Sequence, residues 1–88
     1  MKLIICILQD SDKDEVSKAL TENSWRVTQL PSTGAYFRRG NATLLIGVED
    51  KQVKPAIKVI RENCAEPSEP GLKRATIFVL DVDRFEQV

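Results

Sequence analysis

Two short stretches, residues 3–8 (Leu-Ile-Ile-Cys-Ile-Leu) and 42–48 (Ala-Thr-Leu-Leu-Ile-Gly-Val), are apolar at almost every position and rich in β-branched side chains. Each is too short for an ordinary helix and reads as a strand shielded from water on both faces. The rest of the chain must therefore supply cover for two sides of a sheet. After the first stretch, Asp12 and Glu15 make a capping-box pattern, and a helix is expected to about Glu22, with Val16, Ala19 and Leu20 at helical spacing and Asn23-Ser24 as its end. Trp25, Val27 and Gln29 then alternate with Arg26, Thr28 and Leu30 in a second strand that Pro31 closes. Beyond residue 48, Asp50 can cap a second helix in which Val53, Ala56, Ile57, Ile60 and Cys64 recur at spacings of three and four. Pro55 lies too far inside a helix capped there for its missing N–H to be harmless, so a late start or a distorted first turn is expected. A polar turn segment, residues 65–71, leads to a last strand over residues 75–82.

The order strand, helix, strand, strand, helix, strand fits an α+β fold, the ferredoxin-like βαββαβ plait, with an antiparallel sheet and two helices on one face. One such domain is expected to span residues 1–88. Two helices cover only one face of the sheet. Yet the two central runs are apolar on both faces, and the last strand sets Thr76, Phe78, Leu80 and Val82 against Ile77 and Val79. A solvated antiparallel face would alternate apolar with polar, so another subunit is expected to cover the open side. A chain of 88 residues, with its thin stability margin, gains from such association.

Thirteen Lys plus Arg balance thirteen Asp plus Glu, a formal net charge of zero. That argues against a non-specific nucleic-acid binder and means that any anionic ligand must be met locally. The chain has no histidine, the commonest general base and transition-metal ligand, and its two cysteines, Cys6 and Cys64, have no partner at metal-ligand spacing. They read as buried reduced thiols. The apolar run at the start is short, is followed by Gln9-Asp10-Ser11-Asp12, and has no small-residue cleavage site, which suggests a cytoplasmic protein without a membrane span.

Residues 33–41, Thr-Gly-Ala-Tyr-Phe-Arg-Arg-Gly-Asn, combine glycines, adjacent aromatics and adjacent arginines between strands two and three. Aromatic faces stack on nucleobases, guanidinium groups pair with phosphate, and glycine permits close backbone approach. On spacing alone the segment reads a little better as a hairpin connection whose aromatics pack on strand ends and whose arginines are solvated. Arg26 and Thr28 share a strand face, where the arginine could serve an interface ion pair or an anion site. Lys51, Lys54, Lys58 and Arg61 make a stripe on the second helix, read as a solvated face rather than a polyanion dock. Asp10, Asp12, Asp14 and Glu15 cluster after the first strand as helix-start acids; a metal-dependent nuclease is the competing reading.

The opening Met-Lys-Leu-Ile-Ile-Cys-Ile-Leu-Gln-Asp, the strand Trp-Arg-Val-Thr-Gln-Leu, and Ser-Thr-Gly-Ala-Tyr-Phe-Arg-Arg-Gly-Asn-Ala-Thr-Leu-Leu-Ile-Gly-Val together resemble the PII-like cyclic di-AMP receptor family of small bacterial signalling proteins. The likeness resumes at Ala-Thr-Ile-Phe-Val-Leu-Asp-Val-Asp-Arg-Phe-Glu-Gln. The resemblance implies a cytosolic homotrimer that binds cyclic di-AMP, or a related nucleotide, in clefts between subunits and signals to an unidentified protein partner. It implies no catalysis, metal or cofactor. Carried over by position, Arg26 and Thr28 line the site, Tyr36 and Phe37 form its apolar wall beside Gly34, Asn41 and the Gly47 backbone contact the ligand, and Gln87 reaches in from the C-terminal segment. This chain differs from the usual family pattern at Ser24, at Ala35 and at the Tyr36-Phe37 pair, and it has only residues 65–73 where the receptors carry a long mobile loop. A PII-like trimer that binds ATP or ADP, or no ligand, is the alternative.

Overall fold

In the computed structural model, which describes residues 1–30, 40–66 and 73–88, the two doubly apolar stretches lie side by side at the centre of a four-stranded antiparallel sheet. The elements are β1 (Lys2–Gln9), α1 (Lys13–Glu22), β2 (Arg26–Leu30), β3 (Asn41–Val48), α2 (Val53–Asn63) and β4 (Ala75–Asp81). Strand order β2-β3-β1-β4 gives β1 and β3 a hydrogen-bonded neighbour on each side and leaves β2 and β4 as edges. The architecture is the ferredoxin-like plait expected from the order of elements. Because side chains alternate along a strand, Ile4, Cys6 and Leu8 of β1 and Leu44, Ile46 and Val48 of β3 all turn to one side. There they form one core with Val16 and Leu20 of α1 and Ala56 and Ile60 of α2.

The start of α1 departs from the expected capping box. Asp12 does occupy the N-cap position, but a 3-10 turn over Asp10–Asp12 runs straight into the helix and holds Asp12 at φ −96°, ψ −13°, and its side chain makes no capping bond. A residue with near-helical angles cannot aim its carboxylate back at the helix's own first N–H groups. The carboxylate instead turns inward, is 5% exposed, and accepts a hydrogen bond from the Ala65 N–H at 3.3 Å, linking the start of α1 to the end of α2.

Helix α1 ends where Asn23-Ser24 suggested. Ser24 takes φ +67°, its N–H donates to the Thr21 carbonyl at 2.9 Å, and the Trp25 N–H donates to the Leu20 carbonyl at 3.2 Å. This is a Schellman closure, and Trp25 packs on the core as that motif favours. At α2, Asp50 opens a 3-10 turn over Asp50–Gln52 and the helix proper begins at Val53. The late start seats Pro55 at the third helical position, among N–H groups that have no partner within the helix anyway.

On the side away from the helices the sheet presents Leu3, Ile5, Leu45, Phe78 and Leu80, with Phe78 52% and Leu80 47% exposed. That face is apolar, as the patterning required. Both cysteines are free; Cys6 lies in the core, and burial, with Cys64 adding to it, pushes its thiol from the ordinary 9.0 up to about 12. Among the described residues no helix is long and apolar enough to cross a membrane.

Candidate functional site

The open face of the sheet is not flat. In the register of β2 on β3, Arg26 stands opposite Gly47 and Thr28 opposite Leu45, while β1 places Leu3 on the other side of Gly47. Reading across the strands, the row is Arg26, Gly47, Leu3, and the missing side chain at its centre leaves a notch between a guanidinium and an apolar wall. Among the described residues, a Cβ added at Gly47 would meet only the Cε of Met1, at 3.2 Å. Past β4 the chain turns back over this notch. The Val82 N–H donates to the Met1 carbonyl at 3.1 Å, and the segment beyond it brings Phe85 and Gln87 over the sheet. The resulting cavity, open to solvent on one side, has a volume of about 460 Å³, within the range of small-ligand pockets.

Arg26, Thr28, Gly47 and Gln87, four of the residues expected to form a site, thus line one cavity although they come from β2, β3 and the C-terminal segment. Met1, Leu3, Leu45, Val82 and Phe85 complete the lining among the described residues and were not among the site residues expected from the sequence. Leu3 and Leu45 could have been found, since they share strand parity with Arg26 and Thr28 once the pairing is known. Phe85, which is 58% exposed, carries no periodic signal because it follows the last strand. Asn41 lies elsewhere. It points to the same face as Gly47 but sits at the opposite end of β3, six residues away, roughly 20 Å along a strand. Gly34, Tyr36 and Phe37 lie outside the described residues.

The chemistry of the cavity is mixed. Arg26 supplies a permanently charged, forked donor on an edge strand and makes no salt bridge among the described residues. Thr28 offers a hydroxyl and Gln87 an amide, each able to donate and accept. Leu3, Leu45 and Phe85 give apolar surface for a flat ring. The arrangement can hold a planar heterocycle with an anionic group beside it.

The other sequence candidates have structural employment. Asp10 pairs with Lys13 at 2.8 Å and Asp12 is committed to the Ala65 N–H, so the acids after β1 do not converge. Among the described residues no cluster of three or more His, Cys, Asp or Glu side chains could hold a metal. Lys51, in the 3-10 turn before α2, and Lys54, Lys58 and Arg61 on the helix are exposed, and Lys58 approaches Glu62 at 3.8 Å.

Comparison with known proteins bears on the same residues. The family model of the cyclic-di-AMP receptors matches residues 1–71, which contain Arg26, Thr28 and Gly47. A crystal structure of a functionally unknown protein from Pediococcus pentosaceus ATCC 25745 superposes with a TM-score of 0.78 at 33% sequence identity, covering 99% of this chain and 96% of that one. The two chains are therefore of nearly equal length.

Proposed function

The chain belongs to the cyclic-di-AMP receptor family, and on that premise we propose that it binds cyclic di-AMP at the cavity under its C-terminal segment, in clefts between the subunits of a cytoplasmic homotrimer. The observation that carries the proposal is the convergence of Arg26, Thr28, Gly47 and Gln87 on one cavity. One nucleotide unit would sit there, its base against Leu3, Leu45 and Phe85 and its phosphate toward Arg26. The second unit would then meet residues brought by a neighbouring subunit, among which we place Asn41, Gly34, Tyr36 and Phe37. The distance of Asn41 from Gly47 along β3 agrees with service to a different cleft. Support for the trimer comes from the apolar open face, since Phe78 and Leu80 in water forfeit stabilisation that a subunit contact would recover.

The family is one of receptors, and the output would be a changed surface read by a protein partner. The modest size of the cavity favours a second reading, in which a single mononucleotide such as ATP or ADP is the ligand. Titration calorimetry of the full chain separates the two. Saturable binding of one cyclic di-AMP per protomer, tighter than ATP or ADP, is the expected result. Neither heat nor a thermal shift with cyclic di-AMP, from protein that sediments as a trimer, would sink the proposal.

A further inference from the structure

The helix-covered side of the sheet is not closed at its edge. On β4, Val79 shares the side that carries Ala75 and Ile77 toward the core, yet it is 40% exposed, so α2 does not reach over the strand. Between α2 and the start of β4 lies a second cavity of about 530 Å³, on the opposite side of the sheet from the first. Ile57, Ile60, Ala75 and Ile77 give it an apolar floor. Among the described residues its charged lining is Arg61, Lys73 and Arg74 against one acid, Glu66.

Three cations around one cavity in a chain of zero net charge is a local concentration, not the overflow of a basic protein. The one acid of the lining among the described residues is already engaged by Arg74, and the next acid along α2, Glu62, faces Lys58. Arg74 also holds its Nε–H buried with no acceptor among the described residues, as Asp12, the buried acid behind Cys64, holds its Oδ2 with no donor. A buried donor left unpaired is costly, and a small turn of the Arg74 side chain, whose guanidinium tip is already on the cavity wall, would let an oxyanion there satisfy it. Burial, and then the neighbouring Asp12, push the Cys64 thiol upward against a smaller opposing pull from Arg74, so this wall presents a neutral S–H and no competing thiolate. From these features we infer that the α2–β4 cavity is a second binding site, for a small organic anion whose carboxylate or phosphate is held by Arg61, Lys73 and Arg74 while an apolar or aromatic body rests on Ile57, Ile60 and Ile77. Inorganic phosphate would use the rim and waste the floor.

The test is a titration of the isotope-labelled full chain with phenyl phosphate, benzoate and inorganic phosphate, followed through backbone amide and arginine Nε–H resonances. Phenyl phosphate should give saturable shifts at Arg61, Cys64, Arg74 and Ile77 and none at Arg26 or Gly47. It should bind at least about tenfold more tightly than inorganic phosphate, the difference a buried ring makes. Arg61→Gln and Arg74→Gln should each weaken it roughly tenfold. Arg26→Gln should leave the titration unchanged, which keeps the result independent of the nucleotide site. The inference fails if no shift saturates in the millimolar range, if inorganic phosphate binds as well as phenyl phosphate, or if both arginine variants bind as the parent does. Saturation by an acidic peptide alone, with no response to the small anions, would assign the cavity to a protein partner and would equally overturn it.

Discussion

Replacing Gly47 by alanine should uncouple binding from folding. In the fold, among the described residues, the added methyl meets only the Met1 Cε, at 3.2 Å, the far end of a flexible side chain at the chain terminus, which can yield by a few tenths of an ångström. Removing a glycine from a strand interior gains about 0.5–1 kcal/mol from reduced unfolded-state freedom, so urea denaturation should give an unchanged or slightly higher midpoint. In the cavity the same methyl occupies the notch between Arg26 and Leu3, where a ligand would approach the backbone most closely. Forcing an extra methyl into a packed contact costs about 1–3 kcal/mol, a roughly 5- to 150-fold weaker cyclic di-AMP affinity by calorimetry. Gly47→Val should weaken binding further. The reasoning is refuted if both variants bind within twofold of the parent, or if Gly47→Ala lowers stability by more than about 2 kcal/mol, since the glycine would then serve packing.

Arg26→Gln, which breaks no ion pair among the described residues, should leave the melting temperature unchanged and weaken cyclic di-AMP by roughly 10- to 150-fold, the worth of charge-assisted hydrogen bonds to phosphate. Phe78→Glu combined with Leu80→Glu should convert the proposed trimer to monomer in sedimentation velocity; an unchanged sedimentation coefficient would remove the open face as the subunit contact. Cys6, neutral when folded up to about pH 12 but ionising near 9.0 when unfolded, contributes stability that is full below pH 9 and falls as pH rises toward 12, by about 1.4 kcal/mol per pH unit. Urea midpoints measured across that range should decline less steeply in Cys6→Ala. Ser24→Gly, which removes a side chain from a left-handed backbone, should raise stability by about 0.5–1 kcal/mol, and Ser24→Asn by somewhat less.

Much of the fold was legible in the residues because its signals are local. Apolar runs at 3–8 and 42–48 marked the central strands, the three- and four-residue spacing of Val53, Ala56, Ile60 and Cys64 marked α2, and, of the late start or distorted first turn that Pro55 called for, the structure takes the late start. The capping box was misread because Asp12 had two competing uses. Its identity suits a cap, but the 3-10 turn before it and the N–H of Ala65, fifty-three residues away, decided where its carboxylate went.

The candidate site divides in the same way. Same-face placement of Arg26 and Thr28 follows from the two-residue period of a strand, and the notch-forming glycine and Gln87 were suggested by family resemblance. Side-chain chemistry and strand parity are properties of short segments, so the sequence alone determined the plait, the apolar character of both sheet faces and the residue types available for an anionic ligand. Tertiary structure decided which of those residues meet. The register of β2 on β3 set Arg26 beside Gly47, the bond from Val82 to Met1 turned Phe85 and Gln87 over them, and the length of β3 held Asn41 away. It also opened the cavity between α2 and β4, because how far a helix reaches over an edge strand depends on packing across the whole core and not on any one segment.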